Sequence, residues 1–247
     1  NINRATEDRT PAGFAANAAA AMAQGYGAIK LAPFDGLPPD LCDTAEGRAQ
    51  VAQGMDRIEA VAAAAPDCEI MVDCHWRFTP RAAGELCAPL ARARVVWFEC
   101  PIPETPAAVP DLATLRAAAN RHGMRLCGRE THGAWAHVQP FVAGGAYDLI
   151  MPDVKHVGRL ADILELFRNA RANGVAVSLH NPSGPVAHLV SLHVMAASDS
   201  PERMEIQWNE SPLFQTVTDP APAIAGGRAP HPTGPGLGAD LTPPSLR

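Results

Sequence analysis

The chain has 247 residues, 47% of them hydrophobic and 19% charged, which is enough for one large globular domain with a substantial core. A net charge of −6 and the lack of any basic run argue against a nucleic-acid surface. No apolar run approaches the ~18 residues of a membrane span, and the start shows no signal-peptide pattern.

Residues 1–3 read as the end of a strand, so the chain is expected to open mid-element, as a fragment or processed product. A helix is predicted over 11–24, then a strand over 28–31 that carries Lys30. A helix over 44–65, capped by Asp43 or Thr44, leads to a strand over 70–73. Next come a helix over 81–92, a strand over 95–99, and a helix over 109–122 with Asp111 in its first turn and Gly123 at its stop. The series continues with strand 125–127, helix 133–143, strand 149–151 and helix 160–173, which Gly174 ends. It finishes with strand 176–179, helix 185–197 and strand 204–208.

Strands alternating with helices at this spacing indicate parallel βαβ units. Seven strands plus the stub at the front give an α/β fold, a (β/α)8-type TIM barrel over residues 1–215 that lacks most of its first strand. If these residues were the whole polypeptide, such a barrel would be open-edged; the missing portion is expected in the intact protein. Residues 216–247 are rich in proline and glycine and poor in core-forming residues. They are expected to form a C-terminal extension, packed outside the barrel or partly disordered. The six cysteines, Cys42, Cys68, Cys74, Cys87, Cys100 and Cys127, show no CxxC pair and no zinc spacing. They read as reduced, mostly buried thiols of a cytoplasmic protein.

Each strand ends in an ionisable residue. Asp73 and His75 follow one, Glu99 ends the next, and Glu130, Asp153, His180 and Glu210 follow the others, with Lys30 inside the first. In a parallel barrel these ends share one mouth, where active sites are built. Asp73, Glu99 and Glu130 converging there would repel one another unless a cation lay between them. All-oxygen ligation favours Mg2+ over zinc. Asp153 and His180 suit a carboxylate-oriented imidazole acting as general base. Together these parts suit removal of a proton α to a carboxylate, with the metal bearing the developing charge.

Competing readings accompany several of these residues. Asp153 alone would serve as a helix cap. Glu104 is an alternative to Glu99, although it lies past the strand in a proline-rich loop, and Glu205 is an alternative to Glu210, although it falls at the beginning of its strand. His132, His137, His188 and His193 are expected on the surface or in helix packing. Lys155 is expected beside Asp153, and Trp76 and Arg77 in the pocket lining.

The motifs AIKLAPF, VDCHWRF, WFECP, GRE, MPDVKHVG, LHNPSGPVAHL and GPGLG carry a resemblance to the enolase superfamily, mandelate racemase subgroup. The resemblance spans Lys30 to Gly238. It implies Asp73, Glu99 and Glu130 as Mg2+ ligands, Asp153 and His180 as the dyad, and Glu210 as an acid that hydrogen-bonds substrate. The basic residue that related sequences carry at His156 implies a position near the metal. It also implies an N-terminal α+β capping domain, which this chain does not show, and a homo-oligomer. Racemases of the subgroup carry Lys-x-Lys where this chain has Lys30 and Ala32, so the second base is missing. The Asp-x-His of residues 73–75 resembles the galactonate-type acid-sugar dehydratases, in which such a histidine protonates the departing hydroxyl. The implied reaction takes a small-molecule acid sugar. His180 removes the C2 proton, Lys30 and the metal stabilise the enediolate, and His75 assists loss of the C3 hydroxyl. Epimerisation, cycloisomerisation or a silent barrel are the alternatives. Cys100 replaces the second acidic residue often found after the ligand glutamate, and no chemistry is assigned to it.

Overall fold

The computed structural model describes residues 1–242, so the last five residues of the C-terminal extension lie outside the described residues. Within them, strands and helices alternate from the first helix, α1 (Pro11–Ala23), through strand β1 (Ala28–Leu31), α2 (Ala45–Ala64), β2 (Glu69–Asp73), α3 (Pro80–Arg92), β3 (Val95–Glu99) and α4 (Val109–Arg121). The series goes on with β4 (Arg125–Gly128), α5 (Trp135–Ala143), β5 (Leu149–Ile150), α6 (Leu160–Ala172), β6 (Ala176–Val177) and α7 (Pro185–Ser198). Sequence chemistry sets the helix starts. Thr10, Thr44 and Thr79 each accept a hydrogen bond from the backbone N–H three residues on, and Pro11 and Pro80 sit in first turns, where a missing N–H costs nothing. Thr44, not Asp43, caps α2.

The six strands form one parallel sheet in the order β1 to β6. Alternation divides their side chains between two layers. Ile29, Leu31, Ile70, Val72, Phe98, Leu126, Ile150 and Val177 pack outward against the helices. Met71, Trp97, Cys127, Leu149 and Met151 fill the barrel's inside as a separate cluster.

The ring closes without regular strands in the remaining two places, so even these residues alone leave no open edge. Residues 204–208 form no regular strand. Glu205 N–H donates to Leu179 O (3.3 Å), the Asn1 amino group to Ile206 O (2.7 Å), and Trp208 N–H to Asn1 O (3.0 Å). Ile2 N–H then donates to Lys30 O (3.0 Å), which brings the ring back to β1. Buried backbone groups need partners, and these irregular bonds supply them where a ladder is too short to form.

The extension packs back on the barrel. Its strands β7 (Thr218–Asp219) and β8 (Asp240–Leu241) pair antiparallel. Gly25, at φ 89°, lies so close to Gly226 that a Cβ there would sit 2.7 Å from its Cα. Glycine is needed at that turn for both its conformation and its lack of a side chain. No helix among the described residues is long and apolar enough to cross a membrane.

Candidate active site

Register brings the first two acids together. Asp73 and Glu99 are paired residues of β2 and β3, and both face the barrel's inside one step above Met71 and Trp97. The chain then turns sharply. His75, Trp76 and Cys100 take φ values of 47°, 57° and 45°, a region that non-glycine side chains rarely adopt. Backbone bonds hold the turns, from Cys74 N–H to Glu99 O (2.9 Å) and from Trp76 N–H to Cys100 O (2.7 Å). The strain amounts to about 1–3 kcal/mol at each residue and is typical of functional loops.

Lys30 projects from β1 into the same layer. Its ammonium lies 2.8 Å from Glu99 Oε1 and 2.9 Å from Glu205 Oε1, with only 4% of the lysine side chain, 0% of Glu99 and 4% of Glu205 exposed. Burial works against charge on Lys30, but Glu205, Glu99 and the other acids raise its pKa well above the usual value. Glu205 also accepts from Asn1 Nδ2 (2.8 Å) and Asn181 N–H (3.1 Å). Burial pushes the Glu205 pKa up, yet Lys30, His180 and the amino terminus outweigh it and hold the carboxyl ionised.

Glu210, in contrast, is a third exposed and pairs with Arg4 at 3.0 Å, away from this cluster. The structure thus puts Glu205 where the sequence pointed to Glu210. The stagger of the barrel explains the difference. Glu205 bonds to Leu179, so the segment reaches the level of His180 at its beginning rather than its end. Glu104 likewise lies elsewhere, accepting from Arg129 N–H (2.7 Å) and Tyr147 Oη (2.6 Å).

Two histidines flank the acids. His75 lies between carboxylates, with Nδ1 2.8 Å from Asp35 Oδ1 and Nε2 3.0 Å from Asp73 Oδ2. Burial opposes its charge, but the bonds to Asp35 and Asp73 carry its pKa up to about 10. Asp35 is itself held by Asn3 Nδ2 at 2.9 Å. On the other side, His180 Nδ1 meets Asp153 Oδ2 at 2.8 Å, and its Nε2 lies 3.5 Å from Glu130 Oε2. Lys155 Nζ shares that Asp153 oxygen at 2.6 Å. Burial raises the Asp153 pKa, but hydrogen bonds from His180 and Lys155 more than reverse it.

Among the other histidines, His188 is buried against Asn181 Nδ2 (3.1 Å) and Phe214, and burial lowers its pKa to about 4. His132 stacks edge-on with His137, and His193 with His231. His156 is exposed, and Arg77 donates to Leu37 O (3.0 Å).

The acids themselves call for a cation. Burial, with Asp73 and Glu205 adding and Lys30 opposing, lifts the Glu99 pKa to about 8. Burial and Asp73 lift Glu130 to about 7. Glu99 Oε2 is buried and has no hydrogen-bond partner among the described residues. Asp73, Glu99 and Cys100 each bring one donor atom within 4.8 Å of the others, and Glu130 Oε2 lies 3.8 Å from the Cys100 sulfur. A divalent ion in such a group would supply the missing partner and reverse the crowding of like charges. The residues present fit a metal site.

Residues 13–245 match the enolase C-terminal domain-like family. The chain belongs to that family. The D-xylonate dehydratase of Haloferax volcanii is 26% identical over 224 residues, covering 88% of this chain and 52% of that protein. The D-galactarolactone cycloisomerase of Agrobacterium fabrum is 27% identical over 255 residues, covering 100% of this chain and 61% of that protein. Other matched relatives are named dehydratases of gluconate, galactonate and arabinonate. Among solved structures, a mandelate racemase/muconate lactonizing enzyme from Sulfitobacter sp. superposes with a TM-score of 0.80 at 24% identity, covering 95% of this chain and 57% of that one. The chain spans about half the length of the first curated relatives it matches.

Proposed function

We propose that this barrel is the catalytic domain of a Mg2+-dependent acid-sugar dehydratase. One observation carries the reading: the two histidines are set up for opposite proton transfers. His75 has a carboxylate within hydrogen-bond distance of each ring nitrogen, at 2.8 and 3.0 Å, which favours its doubly protonated form and suits it to give a proton. His180 has its Nδ1 on Asp153, which fixes Nδ1–H as the donor there and leaves Nε2 as a basic lone pair turned toward Glu130 and the mouth. A dehydration α,β to a carboxylate needs one group of each kind.

Asp73, Glu99 and Glu130 would hold the ion, which when bound stabilises negative charge growing on the substrate carboxylate as C2 loses its proton. His180 Nε2 takes that proton, while Asp153 orients the ring and balances the imidazolium that forms. His75 delivers a proton to the C3 hydroxyl, which leaves as water. The enol that remains takes up a proton at C3 and becomes a 2-keto-3-deoxy acid. Lys30, paired with Glu99 and Glu205, supplies the buried cation beside these acids and helps balance the enediolate charge. Each acid–base transfer contributes ~10²–10⁴ in rate. The names of most matched relatives support the dehydratase reading over the alternatives, and the lack of a lysine at Ala32 supports it over two-base racemisation.

The test uses the full-length gene product with Mg2+ and a panel of four- to six-carbon aldonic and aldaric acids, assayed for 2-keto-3-deoxy product. Turnover of at least one acid, lost in both His180→Asn and His75→Asn, is expected. The cycloisomerase among the relatives favours a second reading. Under it, isomer forms without loss of water, and that result would displace the dehydratase.

A further inference from the structure

Cys100 comes immediately after Glu99, at the end of β3, and its side chain is fully buried. In an uninterrupted strand it would face away from Glu99, toward the helices. Its φ of 45° breaks that alternation and returns the sulfur to the inside. Two backbone bonds clamp the residue in this pose, Cys100 N–H to Cys127 O (3.0 Å) and Trp76 N–H to Cys100 O (2.7 Å). As a result, donor atoms of Asp73, Glu99 and Cys100 lie within 4.8 Å of one another, and Sγ is 3.8 Å from Glu130 Oε2. A second observation marks the spot as a ligand position. Glu99 Oε2 is buried there with no hydrogen-bond partner among the described residues.

We propose that Cys100 is a further donor in the carboxylate cluster, making it a mixed oxygen–sulfur site that binds thiophilic divalent ions such as Co2+, Zn2+ and Cd2+ through sulfur. The inference rests on the cation-binding reading of the same carboxylates. Hard ions such as Mg2+ and Mn2+ are held by the oxygens alone, because thiolate suits softer metals. A thiophilic ion forms a metal–sulfur bond, the S–H bond breaks, and its proton passes to solvent. The sulfur then fills a coordination position that a hard ion leaves open. The identity of the residue after Glu99 thereby sets which metals this barrel retains.

The test takes the metal-free full-length protein and adds Mn2+ or Co2+ alone. Mn2+ binding is followed by electron paramagnetic resonance, and Co2+ binding by the near-ultraviolet thiolate-to-cobalt charge-transfer band. The wild type is expected to bind both and to show the band with Co2+. Cys100→Ser and Cys100→Ala are expected to lose the band and bind Co2+ about 10–100-fold more weakly, with Mn2+ affinity little changed. Cys74→Ser, whose thiol belongs to the outer packing layer, is expected to keep the band. A wild type that binds Mn2+ but shows no band with Co2+ overturns the role of Cys100 and leaves the carboxylate site standing, and so does a band that survives Cys100→Ser. Failure to bind either ion overturns the carboxylate reading and this inference with it.

Discussion

Lys30 holds two buried carboxylates, Glu99 at 2.8 Å and Glu205 at 2.9 Å. Removing it would leave the ionised Glu205 in the protein interior without its cation and take a donor from Glu99, a loss of roughly 3–5 kcal/mol for a broken buried pair. Lys30→Met is therefore expected to lower the urea midpoint strongly, read by circular dichroism. The two acids confused in the sequence separate just as sharply. Glu205→Gln is expected to destabilise the fold by about 1–3 kcal/mol, because Asn1, Lys30 and Asn181 all lose part of their partner. Glu210→Gln, which breaks an exposed pair with Arg4, should change stability by less than about 1 kcal/mol. Equal effects of the two substitutions in urea titrations would contradict the placement described. Asp73, Glu99 and the Asp153–His180 pair were legible at this scale because each sits at the end of a strand that the hydrophobic pattern marks clearly. Glu205 stands in the sequence only as the alternative to Glu210, and Asp35 is not legible there at all. The first depends on stagger between irregular segments, and the second reaches His75 from a loop 40 residues away in sequence.

Elements were legible where local chemistry decides them. The capping pair Asp43–Thr44 and the short apolar runs of strands 70–73 and 95–99 mark these elements to within a residue of their observed bounds. The last predicted strand, 204–208, reads as a strand from its alternation but forms no regular ladder. Its partners, residues 1–3 and 179–181, offer only isolated backbone groups. Pairing of that kind is set by neighbours distant in the chain, and composition holds no trace of it. At the element scale, Thr79→Ala removes the side-chain acceptor for Ala82 N–H at the start of α3. It is expected to cost about 1 kcal/mol, measured as a shift of the urea midpoint with unchanged slope.

For the whole molecule, the crowded acids tie stability to pH. Glu99 and Glu130, with pKa values raised to about 8 and about 7, keep protons in the fold that the unfolded chain releases near the ordinary glutamate value. The folded state therefore binds more protons, and stability falls as pH rises through that range. His75, raised to about 10, acts with the same sign above its ordinary value of 6.5. His188, lowered to about 4, acts with the opposite sign up to 6.5, and the buried Asn1 amino group, lowered to about 6, does so up to about 8, but Glu99, Glu130 and His75 together outweigh them. In the absence of divalent metal, the melting temperature is accordingly expected to fall between pH 6.5 and pH 8. Added Mg2+ should restore more stability at the upper end than the lower, because the ion binds the ionised carboxylates. A flat or rising profile with the metal removed would contradict the picture of uncompensated acids.

The central claim is that His180 takes a proton from C2 and His75 gives one to the C3 hydroxyl. The most direct measurement follows both events in the full-length protein, using a sugar acid it turns over, in heavy water. Under this account, His75→Asn still exchanges deuterium into C2 of the remaining substrate but forms little 2-keto-3-deoxy acid, whereas His180→Asn does neither. Exchange that persists in His180→Asn, or product formation that persists in His75→Asn, would contradict the assignment of base and acid.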